Sequence, residues 1–94
     1  MPRADQRRLH EGMIVAMVRK RRYRVESETL ARWVAELGLY RRWKDDAHAP
    51  GWQVIRRANR YPEFFIVEKA DKKTEVVLRF HFPELGWGAK RPNR

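Results

Sequence analysis

The first apolar pattern along the chain is a helical stripe within residues 6–22. Its members follow the i, i+4, i+7, i+8 spacing of a buried helix face: Leu9, Met13, Ala16 and Met17. A basic run, residues 19–22, follows the stripe, and cations stabilise the C-terminal end of a helix. A helix lying on a membrane surface has the same features. A small domain needs this apolar area for its core, however, so we expect a core helix.

A second helix is predicted over residues 27–38. Ser27 suits the N-cap position, and Gly38 suits the left-handed conformation that ends many helices. The apolar residues between them recur at i, i+3, i+4 and i+7: Leu30, Trp33, Val34 and Leu37. Residues 39–44 are predicted to form a short helix or a helical turn, and residues 45–49 a loop.

A third helix is predicted to begin at Pro50, because proline suits the first turn of a helix. It must end before Pro62, since the residue before a proline disfavours helical angles. Trp52, Ile55 and Ala58 recur every three residues, and we expect this side of the helix to face the core. The arginines of the segment then lie on the other side.

Extended structure is predicted on both sides of these helices. Residues 23–25 alternate briefly, and residues 64–67 are aromatic and β-branched, as strands prefer. Residues 70–73 form a polar turn. Residues 75–82 alternate strictly, and the alternation places these apolar residues on one face: Val76, Leu78, Phe80 and Phe82. The last two strand segments therefore predict a β-hairpin.

This order of elements is that of a winged helix-turn-helix. We expect an α+β fold with about three helices packed on a small antiparallel sheet and a C-terminal β-hairpin as the wing. Residues 6–85 are predicted to form a single domain, because a chain of 94 residues suits one core. The ends, residues 1–5 and 86–94, are basic and are expected to be flexible tails.

Residues 51–67 read GWQVIRRANRYPEFFIV, in which a glycine–aromatic helix start precedes apolar residues at every third position, an acidic residue and an aromatic, β-branched strand. This stretch resembles the last helix and first wing strand of LOTUS (OST-HTH) winged-helix domains, and residues 75–78 resemble their returning strand. The sequence departs from that pattern at Ala58, where a bulky apolar residue is usual, and in the basic connection of residues 41–44. The resemblance implies binding of nucleic acid, often RNA, or docking of a protein partner, and it implies no enzymatic activity.

The composition of the chain indicates which classes of molecule it binds and which classes of chemistry it excludes. It has 22 Lys and Arg against 12 Asp and Glu, a formal net charge of +10. Such an excess attracts a polyanion: nucleic acid first, an anionic membrane surface second and an acidic protein third. The absence of cysteine excludes disulfides, thiol catalysis, iron–sulfur clusters and Cys-ligated zinc. No apolar run approaches the roughly 20 residues of a membrane span, and no signal peptide is recognisable. We therefore expect a cytoplasmic or nucleoid-associated protein without membrane contact.

Basic residues fall in four clusters, residues 19–24, 41–44, 56–60 and 69–73. In a winged helix the outer side of the last helix and the wing tip can face one surface, so we predict that the last three clusters contact nucleic acid. The predicted contact residues are Arg41, Arg42, Lys44, Arg56, Arg57, Arg60, Lys69, Lys72 and Lys73. The alternative is an arginine-rich surface that is only solvated. The charge pattern fits DNA and RNA equally.

Aromatic residues near these clusters have two interpretations. Tyr40 and Trp43 stack on unpaired bases if they are exposed, or belong to the core if they are buried, and the sequence leaves both open. Trp33 and Trp52 lie on apolar stripes and are predicted to be core. Trp87, between glycines near the C-terminus, is predicted to be exposed and to dock a partner.

Catalytic groups are sparse in this sequence. Asp45, Asp46 and His48 are close together, but His10 and His81 are isolated, and no other segment offers ligands at metal-binding spacing. We therefore expect no catalytic residue, no metal and no cofactor, and a protein that is not an enzyme. Nucleic-acid binding is the first hypothesis. The second is a winged-helix protein-interaction module that acts as an adaptor in a larger nucleoprotein complex, with a protein partner or a second copy of the chain.

Overall fold

A computed structural model of the chain describes residues 7–43 and 49–82. In chain order, the elements are α1 (Leu9–Lys20), β1 (Arg24–Glu26), α2 (Ser27–Glu36), α3 (Pro50–Arg60), β2 (Phe65–Ala70) and β3 (Lys73–Leu78). A 3-10 turn, Arg79–His81, follows β3. The predicted α+β class, with three helices and a small antiparallel sheet, is confirmed.

The three-stranded sheet has the order β1–β3–β2, so the last strand in the chain lies in the middle. Both pairings are antiparallel, and Val76 of β3 lies opposite Val25 of β1 and Val67 of β2. β2 and β3 form the predicted hairpin, which turns at Asp71 and Lys72. Because side chains alternate along a strand, one face of the sheet points to the helices and the other, called here the outer face of the sheet, points away.

The core fills the space between the helices and the inner face of the sheet. The predicted stripe of α1 is confirmed, since its four members are at most 2% exposed: Leu9, Met13, Ala16 and Met17. The other elements contribute further buried residues: Val25, Leu30, Ala31, Val34, Leu39, Val54, Ala58, Phe65, Val76 and Leu78. Full burial of a side chain the size of leucine or phenylalanine contributes about 1.5–3 kcal/mol, so α1 serves as a core helix.

The start of α2 differs from the sequence expectation. Ser27 is the first helical residue and is buried, so its prediction as N-cap is wrong, and Glu26 holds that position. The difference arises because β1 runs into α2 without a loop, and the extended backbone of Glu26 ends the strand and begins the helix. The Thr29 hydroxyl donates a hydrogen bond to the Glu26 carboxylate at 3.2 Å. Gly38 has a φ of 66°, which confirms its predicted left-handed conformation.

Two glycines permit the close packing that positions α3. A Cβ atom on Gly51 would lie 2.8 Å from Cγ of Glu28, so the first turn of α3 rests directly on α2. A Cβ atom on Gly12 of α1 would lie 3.1 Å from the carbonyl oxygen of Leu39. This second contact holds the segment after α2 against α1. Residues 39–42 are irregular there, so the expected helix or helical turn is wrong for them.

β3 ends earlier than the alternation of its sequence predicts. The strand stops at Leu78, and the 3-10 turn that follows leaves Phe80 63% exposed. Burial of Arg79 explains the change, because its Nε donates a hydrogen bond to the Pro62 carbonyl oxygen at 2.9 Å and draws the chain out of the strand. The prediction that Phe80 and Phe82 continue the strand and share one face with Val76 and Leu78 is therefore wrong.

Candidate nucleic-acid interface

The helix α3 has one buried and one exposed face. Its buried residues face the rest of the domain: Gly51, Gln53, Val54 and Ala58. Exposed residues recur at i, i+4, i+7 and i+8 and form the outer face of α3: Trp52, Arg56, Asn59 and Arg60. Two of the predicted contact residues, Arg56 and Arg60, therefore share one solvent-facing stripe. Arg57 is half-buried beside it.

Trp52 is 47% exposed, so its prediction as a core residue is wrong. A helix turns by about 100° per residue, and residues six positions apart therefore lie about 120° apart. Because Ala58 is in the core, Trp52 falls outside it, and Val54 takes the inward position. The Trp52 ring packs against Arg56, whose guanidinium carbon lies 4.8 Å from the ring centroid. This is a cation–π contact between residues one helical turn apart.

The three predicted arginines of α3 line one cavity of about 120 Å³, which we call the arginine cavity. Its other lining residues are Gln53 of α3, Tyr40 from the segment after α2, and Leu9 at the start of α1. Within residues 7–43 and 49–82, no aspartate or glutamate lines this cavity. The structure thus brings four residues of the predicted site together: Tyr40, Arg56, Arg57 and Arg60.

The segment between α2 and α3 is tied to α3 at its aromatic residues. Gln53 Nε2 donates a hydrogen bond to the Trp43 carbonyl oxygen at 3.3 Å. Tyr40 and Trp43 make an edge-to-face contact with ring centroids 4.9 Å apart, and both pack against the core while remaining half-buried. Each ring therefore lies partly in the rim of the core and partly in solvent near α3, and its stacking on a base stays a prediction.

The basic residues of this same segment extend the surface beside α3. Arg41 and Arg42 follow Tyr40 and are exposed. Lys44, the third predicted contact of this segment, lies outside the described residues. Two of the three cations therefore lie in the stretch that is hydrogen-bonded to α3.

The predicted wing lysines occupy a separate place. Lys69, Lys72 and Lys73 are exposed at the tip of the hairpin. The base of the hairpin adjoins the end of α3, where the Phe65 backbone N–H donates to the Tyr61 carbonyl oxygen at 3.1 Å. From this base, β2 extends about 17 Å to its last residue. The lysines therefore form a second basic patch, distant along the hairpin from the end of α3.

The cluster of residues 19–24 is not part of the α3 surface. Arg24 lies on the outer face of the sheet, where its Nη1 is 2.7 Å from Glu68 Oε1 and 3.2 Å from Glu75 Oε1. These hydrogen bonds raise the pKa of the Arg24 guanidinium further above its ordinary value. The rest of the cluster ends α1, about 16 Å along that helix from the residue that lines the arginine cavity.

His10, which the sequence analysis treated as isolated, joins α1 to α3. Its ring is 9% exposed and stacks on Tyr61, with ring centroids 3.8 Å apart. Burial lowers the pKa of the imidazole, Arg57 adds to the decrease, and Glu11 opposes it. A neutral ring therefore packs the start of α1 against the end of α3, beside the arginine cavity. The two rings are distant in the chain, so no local pattern could have revealed the contact.

Two polar residues of α3 also escaped the sequence analysis. Gln53 is buried and lines the arginine cavity, and Asn59 is exposed on the outer face of the helix. In the sequence, only their position relative to the apolar stripe of α3 could have indicated that Gln53 is buried and Asn59 is exposed. Because Trp52 was assigned to that stripe, the exposed face was placed incorrectly and Asn59 was overlooked.

The predicted metal-like cluster and the predicted docking tryptophan lie outside the described residues: Asp45, Asp46, His48 and Trp87. The same holds for the predicted tails, residues 1–5 and 86–94. Within residues 7–43 and 49–82, no group of three His, Cys, Asp or Glu side chains is placed to hold a metal ion. None of the helices in this part of the chain has the length and apolar character needed to cross a membrane.

No protein-family model, curated protein or solved structure matches this chain. What the chain binds is therefore inferred from the side chains of α3 and of the segments packed against it.

Proposed function

We propose that this chain is a winged-helix protein that binds nucleic acid. In this proposal α3 is the helix that meets the nucleic acid, the β2–β3 hairpin is the wing, and no reaction is catalysed. The chain order α1, β1, α2, α3, β2, β3 supports the assignment, because it is the element order of a winged helix-turn-helix. The resemblance of residues 51–67 to LOTUS domains supports it independently of the charge.

The observation that carries this proposal is the convergence of cations on α3. Arg56, Arg57 and Arg60 line one cavity, and two of them continue onto the outer face of the helix. Each phosphate neutralised by a protein cation releases condensed counterions from the nucleic acid, and this release supplies most of the affinity of non-specific binding. The planar guanidinium also pairs two donors with phosphate oxygens or with the edge of guanine.

The dimensions of α3 suit a groove of duplex nucleic acid. The helix has 11 residues and is therefore about 16 Å long. Its width with side chains, about 10–12 Å, matches the major groove of B-form DNA, which is about 12 Å wide. Asn59, exposed between the arginines, is of the type that pairs with adenine, and Trp52 offers a ring on which a base can stack. Such contacts would add base preference to phosphate binding.

The experiment that tests this function is a binding titration against salt. Fluorescence anisotropy would be measured with duplex DNA, single-stranded DNA and structured RNA. We expect the logarithm of the association constant to fall with the logarithm of salt concentration, with a slope of about −0.9 per duplex phosphate contacted, or about −0.7 on a single strand. A flat salt dependence, or no binding at low salt to any of the three, contradicts the proposal.

A second candidate function, an adaptor that docks a protein, is favoured by one observation. Phe80 is 63% exposed, and its ring centroid lies 6.5 Å from that of Phe64, which leaves an apolar surface beside the base of the hairpin. An adaptor would bind its partner there and not through α3. Loss of a purified partner on Phe80→Ser, with retention on Arg56→Gln, would favour the adaptor over nucleic-acid binding.

A further inference from the structure

The arginine cavity differs from the rest of the basic surface because three arginines line a single concave space there. Arg56, Arg57 and Arg60 come from successive turns of α3 and line a common space. Each planar guanidinium carries five N–H donors and no acceptor, so these side chains bind groups that accept hydrogen bonds. Fixed positive charges that converge on one concave site favour a bound anion.

The volume of the cavity limits the size of that anion. Pockets that enclose drug-sized ligands measure about 300–1,000 Å³, so this cavity does not enclose a nucleoside or a whole nucleotide. It has room for one phosphate group with a few waters.

The neutral lining residues suit an anion with several oxygen atoms. Tyr40 carries an O–H donor, and Gln53 carries an amide whose orientation is fixed by its hydrogen bond to the Trp43 carbonyl. Leu9 is 2% exposed and forms an apolar wall on the α1 side. An apolar wall lowers the local dielectric constant, which strengthens the attraction between the guanidinium groups and an anion.

We propose that the arginine cavity binds the terminal phosphate of a nucleic-acid strand, so that the protein recognises strand ends. This inference rests on the proposed nucleic-acid binding and specifies its substrate class. A terminal phosphomonoester carries a charge of about −1.5 to −2 and three free oxygens, which matches three guanidinium groups. An internal phosphodiester carries one charge and two free oxygens, and its chain continues on both sides, so it meets a small concave site less well.

The test compares strands that differ only in their ends. Fluorescence anisotropy would use one single strand of about 15 nucleotides, long enough to cover a small domain, labelled internally, with a 5′-phosphate, a 3′-phosphate or hydroxyls at both ends. The same set would be made in DNA and in RNA. We expect one phosphorylated end to bind at least 10-fold more tightly than the unphosphorylated strand.

The outcomes separate this inference from the proposed function. Equal binding of all three strands, with a steep salt dependence, overturns recognition of strand ends while the nucleic-acid function stands. Absence of binding by every strand and by duplex overturns both. Inorganic phosphate is added at millimolar concentration as a competitor. If it binds as tightly as the phosphorylated strand, the cavity is a site for the free anion and the strand-end inference is overturned.

Substitutions test whether the preference for a phosphorylated strand end depends on the arginine cavity. Arg57→Gln, which keeps the size and polarity of the half-buried side chain, should abolish the preference for the phosphorylated end. Arg32→Gln, an exposed arginine of α2 outside the cavity, is the matched control and should keep it. Circular dichroism melting of both variants checks folding. If Arg57→Gln does not fold, Tyr40→Phe, which removes only a hydroxyl, should reduce the preference, and an unchanged preference there contradicts the proposal.

Discussion

Two regions of this molecule hold arginine in opposite electrostatic settings. On the outer face of the sheet, Arg24 lies between the carboxylates of Glu68 and Glu75. On α3, three arginines line one cavity, and the lining residues that the structure describes include no carboxylate. The first setting neutralises glutamates that would otherwise face one another across the strands. The second concentrates positive charge where a ligand can reach it. The position of the acidic residues, more than the number of cations, therefore distinguishes a structural arginine from a candidate binding arginine.

The strongest way to break this comparison is to remove the charge from each region in turn. The triple variant Arg56→Gln, Arg57→Gln, Arg60→Gln should weaken nucleic-acid binding at low salt by about 100-fold or more, because each phosphate-contacting cation contributes on the order of 1 kcal/mol. Its salt slope on duplex DNA should become shallower by about 2.7, at about 0.9 per contact. Anisotropy at several salt concentrations measures both quantities. Arg24→Gln is the control, and equal loss of binding in that variant would refute the distinction.

A second prediction concerns the contact between the first turn of α3 and α2. Gly51→Ala places a Cβ atom 2.8 Å from Cγ of Glu28. Overpacking costs about 1–3 kcal/mol, and the better helix propensity of alanine offsets up to about 1 kcal/mol, so we expect a net destabilisation of about 1 kcal/mol. Urea unfolding measures it. Adding Glu28→Ala removes the clashing atom and should restore most of the loss; no recovery in the double variant would show that the contact is not the cause.

A third prediction compares the same two regions by their effect on stability, so that Arg24 is now the residue tested and Arg60 is the control. Glu68 and Glu75 are directly opposite in the sheet, so Arg24→Gln leaves two carboxylates facing each other without their cation. Arg24 is partly exposed, and we expect a loss of only about 0.5–1 kcal/mol in urea unfolding, smaller still at high salt. Arg60→Gln should leave stability unchanged. A larger loss from Arg60→Gln than from Arg24→Gln would contradict the assignment of a structural role to Arg24 alone.

The smallest expected effect concerns the histidine that flanks the arginine cavity. The pKa of His10 is lowered from its ordinary value of 6.5, first by burial, and its Nδ1 is buried without a hydrogen-bond partner among the described residues. Because the unfolded chain then binds a proton more readily than the folded one, stability is complete above pH 6.5 and falls as pH decreases through the lowered pKa. Melting temperatures between pH 8 and pH 5 measure this fall. His10→Phe should flatten the part of the profile near pH 6, and an unchanged profile would show that His10 is not the cause of the fall.

Periodicity predicted the three helices and the hairpin because each of these elements is specified by residues close together in the chain. The errors had two sources, the geometry of the helix and contacts between distant parts of the chain. Spacing of three residues fits a helix but drifts around it, so Trp52 seemed to share the core face with Ala58. The alternation after Leu78 continued in the sequence, while a buried Arg79 ended the strand. Arg79 bonds to Pro62, which is 17 residues away in the chain, so the alternation carried no signal of that contact.

The candidate site was predicted in its charges but not in its shape. The arginines of α3 were identified from their number and position, and Tyr40 from its basic neighbours. The arginine cavity forms because Tyr40, Leu9 and α3, which belong to three separate segments, pack together. The close approach of Gly51 to α2 was also not predictable, because a glycine in the sequence does not show which element it contacts. Pairing of Arg24 with two glutamates on other strands was hidden for the same reason, since it depends on the register of the sheet.

The middle position of β3 has a consequence for the order in which the molecule can assemble. β1 and β2 each pair with β3 and not with each other. During synthesis on the ribosome, neither strand has a neighbour until the chain has emerged through Leu78, so the sheet forms only after all three helices have been synthesised. Before that moment Phe65 and Ile66, both buried in the finished domain, lack the strand with which they pair.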